Sequence, residues 1–227
     1  MVARPPRRHW VVAIGWLAVA ALVLAGTGLV VSALTAAPQA PPQPSLAAAP
    51  RFAAGGATDP RDAAPAAGPS LPVELRVAAM DVTASLTPVG IDPDGSVQIP
   101  PAGRADVAGW YAPGPTPGEA GNAVLVGHVD SRTAGPGVFF NLGRLNPGDE
   151  ITVRRNDGSV GRFRVDGVES YAKAAVPGDL VFGAATTPGL RLITCGGDWD
   201  PAKRTYENNI VAYATLVGWD KTQRPVS

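Results

Sequence analysis

The chain has 227 residues, room for one ordinary domain with an appendage. Its 19 Lys and Arg balance 19 Asp and Glu, which excludes a basic protein built to hold nucleic acid. Its 27 Gly and 24 Pro exclude a coiled coil or a helical bundle. One Cys and two His leave no internal disulfide framework and no Cys-rich or His-based metal centre.

Residues 1–34 form a first region. Arg4, Arg7 and Arg8 precede a stretch from Trp10 to Leu34 that carries no charge over 25 residues. About 20 apolar residues in a helix cross the hydrocarbon core, and a cleavable signal peptide needs only a shorter apolar stretch. Basic residues before the span and none soon after it set the N-terminus inside. The expectation is a single-pass anchor in the cytoplasmic membrane with the remainder outside the cell. Cleavage after the Ala-rich end near Ala36 is the minority alternative.

Residues 35–70 are dominated by Ala and Pro, with eight prolines and almost no large apolar side chain. Such a composition is expected to give a disordered, extended spacer.

From Leu71 to Ser227 short apolar runs alternate with turn signals. Strands are expected near 73–78, 82–89, 97–99, 122–128, 149–155, 160–171, 189–195 and 206–218. Asp157-Gly158 between two such runs reads as a hairpin turn. Helical turns fit only near Arg104–Val107, Val138–Leu142 and Asp179–Phe182. Eight strands in about 150 residues predict one mostly-β domain, closed or nearly closed as a barrel. This region carries 14 Lys and Arg against 17 Asp and Glu, so it is mildly acidic and has no stripe for polyanions.

The domain holds one cysteine, Cys195, and one histidine, His128. Both are expected at the C-terminal ends of strands, flanked by Gly127 and by Gly196 and Gly197, where backbone and a substrate approach closely. A thiolate is a nucleophile, and a neighbouring imidazole can activate it and protonate a leaving amine. The competing reading makes Cys195 a small buried hydrophobe and His128 a solvated surface group. An unpaired thiol outside the membrane risks oxidation, which favours a function for it.

Leu192-Ile193-Thr194-Cys195 resembles the L-x-T-C strand of sortases, and Gly127-His128-Val129-Asp130-Ser131 resembles their G-H segment. The order His then Cys, 67 positions apart, also fits. With Gly196-Gly197, Asp200, Tyr206 and Asn209 the pattern is most similar to class F sortases of actinobacteria, and class E shares some of these features.

The resemblance implies an eight-stranded sortase-type β-barrel, preceded here by the transmembrane helix. It also implies a cysteine transpeptidase without metal or other cofactor. Cys195 would attack the Thr–Gly bond of an LPxTG-like sorting signal, and an amine such as a peptidoglycan precursor would release the thioester. His128 would act as acid and then base, with Thr194 near the substrate or oxyanion. The family's arginine directly follows the tyrosine in many relatives, whereas Glu207 follows Tyr206 here. Arg204 is therefore expected in that role, with a surface charge as the alternative. Arg191 competes, although four residues of strand place it about 13 Å away.

Trp199 is expected in the peptide groove, while Trp110 and Tyr111 read as core. Asp130 either orients the imidazole, contacts substrate or serves as a turn residue. A pilin-polymerising variant is disfavoured, because the expected Asp-Pro-aromatic lid reads Asp59-Pro60-Arg61. The alternative functions are a membrane-anchored Cys/His peptidase and a non-catalytic peptide-binding module. Oligomeric state is not legible.

Overall fold

The structure, a computed structural model, describes residues 40–48 and 63–221. The expected membrane span at 10–34 lies outside them, and among the described residues no helix is long and apolar enough to cross a membrane. Period-two alternation produces the strands: in β1 (Pro72–Val77) Leu75 and Val77 face inward while Arg76 faces water. β2 (Val82–Val89) pairs with it antiparallel and with β3 (Ala108–Tyr111) in parallel. β4 (Gly121–Val126) follows, then a small hairpin of β5 (Asp130–Ser131) and β6 (Gly135–Pro136).

β7 (Glu150–Arg155) and β8 (Ser159–Ala172) form the expected hairpin. Gly158 takes a φ of 85°, and Asp157 Oδ1 accepts a hydrogen bond from Ser159 N at 2.9 Å. A five-residue helix, α1 (Gly178–Phe182), leads to β9 (Pro188–Asp200) and β10 (Thr205–Lys221). The sheet closes in the order β1-β2-β3-β4-β9-β10-β8-β7, with β7 returning to β1.

Seven expected strands are present and one is replaced. Residues 97–99 form no strand; only an isolated bridge joins Val97 to Ile91 across the Asp92–Gly95 turn, so this stretch is one arm of a loop. The eighth strand is β3, whose shortness and central Gly109 hide it from pattern reading. A Cβ at Gly109 would stand 2.8 Å from Val89 Cγ1, so glycine is what lets β2 and β3 lie together. The expected helical turns at 104–107 and 138–142 are displaced to 3-10 turns at Ala102–Arg104 and Leu142–Arg144.

Leu75, Leu125, Phe139, Ile151, Phe163, Leu192 and Ile210 fill the barrel. A second apolar layer lies outside it, where Val181 of α1 packs with Val124, Val126, Val211 and Tyr213. All six residues of β4 are therefore buried, as expected of a strand covered on both faces.

The described parts of the 35–70 stretch, residues 40–48 and 63–70, depart from the expectation of a free spacer. Residues 41–48 and 63–221 belong to one compact unit. Ala48 is fully buried in the main core, and Gln43 Oε1 accepts a hydrogen bond from Gly197 N at 3.0 Å. Residues 63–70 run along the barrel through backbone bonds from Ala64 to Leu216 and from Ala67 to Gly118. Pro65 O also accepts from Trp219 Nε1 at 3.0 Å. Arg155, buried at the barrel's edge, donates to Gly68 O and lies 5.0 Å from the Trp219 ring centroid. Main-chain hydrogen bonds, the buried Ala48 and the polar groups of Gln43, Arg155 and Trp219, which composition does not register, hold these pieces in place.

An Ala48→Asp substitution buries a carboxylate in this core and should lower stability by about 2 kcal/mol or more, read from urea unfolding. An unchanged midpoint would show that the 41–48 strap contributes nothing to the barrel.

Candidate active site

The parallel pairing of β4 with β9 builds the site. Val126 lies opposite Ile193, and Gly127 N donates to Ile193 O at 3.1 Å. His128 and Cys195 each lie two residues further along, His128 just past the end of β4 and Cys195 still within β9, so the same offset brings them to the same level of the barrel. Both line a cavity of about 500 Å³. Thr194 points inward between them, buried, and its Oγ1 donates to Gly127 O at 2.8 Å. The Thr194 hydroxyl thus ties β9 to the segment that follows β4, and Thr194 lines the same cavity. A Cβ at Gly127 would lie 2.5 Å from Val138 Cγ1 and 2.7 Å from Phe139, so only glycine fits ahead of the histidine.

His128 Nε2 lies 2.6 Å from Pro100 O. A carbonyl only accepts, so Nε2 carries a proton and Nδ1 is the ring nitrogen left for chemistry. Pro100 belongs to the loop between β2 and β3, whose Val97 and Ile99 form part of the cavity wall together with Val176 and Phe182.

Cys195 is half-buried. Burial pushes its thiol above the ordinary cysteine range, Lys173 draws it down, and Asp130 raises it further. Among the described residues no hydrogen bond joins Asp130 to the imidazole; its Oδ2 accepts a hydrogen bond from the Tyr206 hydroxyl. Burial and this carboxylate hold the Tyr206 phenol well above its usual range. Trp199, half-exposed at the cavity, meets the Tyr206 ring edge-on at 5.2 Å. Trp199, Tyr206 and Asp130 thereby connect the β9–β10 hairpin to the segment that follows His128.

The two arginine candidates separate. Arg204 lines the cavity from the turn between β9 and β10, exposed and with a φ of 54°, and among the described residues no carboxylate pairs with it. Arg191 does not line the cavity. Its guanidinium donates to the carbonyls of Leu180, Leu190 and Ala214 and lies 5.1 Å from the Tyr213 ring centroid, beneath α1. Arg191, the competing candidate for the arginine role, instead holds α1 and the neighbouring strand carbonyls. Trp110 is core, as read, and Tyr111 packs edge-on against Phe182 at 5.5 Å.

Lys173, Asn209, Val97, Ile99, Val176 and Phe182 were not legible as site residues. Asn209 pairs directly with Cys195 because the register shifts by one between Tyr206 and Asn208. Gly197, with a φ of 75°, sits at that irregularity. Without the shift Ile210 would face the cysteine. Among the described residues no group of three or more His, Cys, Asp or Glu converges as a metal site would require.

A half-buried thiol and an imidazole with a free nitrogen, opening into one peptide-sized cleft, is an arrangement for acyl transfer. Residues 75–217 match the family model of the sortase domain. The chain belongs to the sortase family. Its members are cysteine transpeptidases that anchor or polymerise proteins on the cell wall, and this sortase is such an enzyme.

The fold is similar to that of Listeria monocytogenes sortase A, at 16% identity and a TM-score of 0.51 over 69% of this chain and 93% of that one. Sortase C-3 of Streptococcus pneumoniae aligns at 15% identity and 0.51 over 70% and 68%. A lid mutant of sortase A from Corynebacterium diphtheriae aligns at 17% and 0.51 over 68% and 74%. No curated protein matches this sortase.

Because burial holds the free thiol neutral, its reactivity should rise with pH. Alkylation by iodoacetamide, which reads the chain's only cysteine, should climb about tenfold per pH unit from pH 6 and still be rising at pH 9. A plateau reached by pH 7 would contradict the burial effect.

Proposed function

We propose that this sortase cleaves an LPxTG-like sorting signal between Thr and Gly and transfers the new carbonyl to an amine of the cell wall, such as a peptidoglycan precursor. The observation that carries the reading is the shared offset of His128 and Cys195 on adjacent parallel strands, which sets thiol and imidazole in one cavity.

In the proposed cycle His128 Nδ1 takes the Cys195 proton as the sulfur attacks the Thr carbonyl. The tetrahedral oxyanion is met by Arg204 and by nearby backbone N–H groups. On collapse, Nδ1–H protonates the departing Gly amine and a thioester remains on Cys195. The acceptor amine then attacks, giving its proton to Nδ1 and its nitrogen to the new amide, while Cys195 leaves as the thiolate. The apolar wall of Val97, Ile99, Val176 and Phe182 suits the aliphatic side chain of the signal. Trp199 and Asp130, which line the same cavity, are the proposed substrate-contacting side chains, Asp130 in concert with Tyr206.

The chain is further proposed to be a class F-like enzyme, class E being the neighbouring type, held in the cytoplasmic membrane by residues 10–34 with its barrel outside. The L-I-T-C-G-G strand supports the class, and the uncharged 25-residue stretch behind three arginines supports the anchor.

With a sorting-signal peptide and an amine, wild type should yield the amide product. Cys195→Ala and His128→Ala should each abolish it, and Arg204→Ala should lower kcat by roughly 10²-fold. Release of free acid alone would instead identify a hydrolase, and unchanged turnover of the arginine variant would remove Arg204 from the oxyanion.

A further inference from the structure

The cation nearest in effect to the thiol is one that no sortase motif in the sequence marked. In the sheet, Tyr171 of β8 pairs with Asn209 of β10, and Asn209 pairs with Cys195 of β9, so one row crosses three strands at the cysteine. Lys173 lies two residues beyond Tyr171, where the chain leaves β8 in a 3-10 turn at Lys173–Ala175. Its side chain reaches the start of β10, where Nζ donates to Thr205 Oγ1 at 2.5 Å. That bond holds the ammonium at the wall of the cavity that Cys195 lines.

Five ionisable groups share this cavity with the thiol or act on it: His128, Asp130, Lys173, Arg204 and Tyr206. The Asp130 carboxylate is occupied by the Tyr206 hydroxyl and works against a sulfur anion. The imidazole spends Nε2 on Pro100. Lys203, beside Arg204 in the turn, is drawn to Asp200 at 3.0 Å. Arg191 is held under α1, away from the cavity. Lys173 has a hydroxyl as its partner and, among the described residues, no carboxylate, so its charge is not neutralised.

We propose that Lys173 is a positioning residue of this sortase that stabilises the Cys195 thiolate electrostatically, a role distinct from that of Arg204 at the oxyanion. The inference rests on the reading of Cys195 as the nucleophile. The electrostatics of the cavity agree: of the neighbours acting on the thiol, Lys173 is the one that favours its ionisation. An ammonium exposed on one side acts through partly screened space, so its influence is moderate and sensitive to salt.

The test uses the full chain and reads the sulfur directly, without requiring transfer activity. The pH profile of iodoacetamide alkylation is measured for wild type, Lys173→Gln, Lys173→Arg and Arg204→Gln, at low and high salt. Lys173→Gln should move the profile to higher pH and slow alkylation at pH 7 by about threefold or more at low salt, with the difference shrinking in 0.5 M salt. Lys173→Arg should retain most of the wild-type rate, and Arg204→Gln should move the profile less than Lys173→Gln. A Lys173→Gln profile that superposes on wild type would overturn the proposal. So would a Lys173→Arg protein as slow as the Gln variant, or an Arg204→Gln shift of equal size. If the wild-type chain transfers no peptide while Lys173→Gln still slows alkylation, the electrostatic role stands and the transpeptidase reading falls.

Discussion

The parallel register between β4 and β9 is the constraint on which the site depends. Val126 opposite Ile193 gives His128, just beyond β4, the same offset as Cys195 within β9, and the Thr194 hydroxyl ties the two segments together at Gly127 O. A slip by one residue would turn the sulfur inward and Thr194 outward, because the side-chain period of a strand is two. That register is in turn held by burial on both faces of β4, by the barrel core on one side and by the layer under α1 on the other. The site is therefore an outcome of barrel packing and not of a loop folded for the purpose.

Around that frame the chemistry is set by competing effects on one sulfur. Partial burial and the Asp130 carboxylate favour the neutral thiol, while Lys173 favours the thiolate. The imidazole is orientated by a backbone carbonyl at Pro100 instead of by a carboxylate, since Asp130 is engaged by Tyr206. A carbonyl fixes which ring nitrogen carries the proton without adding a negative charge beside the thiol. This arrangement leaves Nδ1 to exchange a proton with sulfur and with the leaving and entering amines.

Much of this was legible in the sequence, and the failures have physical causes. Alternation in Val73–Val77 and the Asp157-Gly158 turn reported local structure faithfully, and Cys195 and His128 stood out as the domain's singular thiol and imidazole, although β9 runs on to Asp200 and Cys195 lies within it and not at its end. β3 was missed because Ala108-Gly109-Trp110-Tyr111 is short and its glycine serves a close strand approach. Residues 97–99 carry a strand-like alternation but find no strand to pair with beyond one bridge. The described parts of the Ala/Pro stretch looked coreless because their attachment runs through backbone hydrogen bonds, the Gln43 side chain and the small side chains of Ala48 and Ala64. Lys173 was invisible because its nearness to the thiol requires β10 to lie between two strands and to shift register at Gly197. Arg191 was ambiguous because a strand face is shared along its whole length; only the α1 carbonyl at Leu180 shows where the guanidinium goes.

The central claim is that Cys195 becomes acylated by the sorting signal within this cavity. Intact-mass analysis after mixing the enzyme with an LPxTG peptide and no amine, followed by peptide mapping, tests it most directly. A gain equal to the Leu-Pro-x-Thr acyl group on Cys195, discharged when an amine is added, is the predicted result. Peptide cleavage without any adduct on Cys195, or with the acyl group on another residue, would contradict the account.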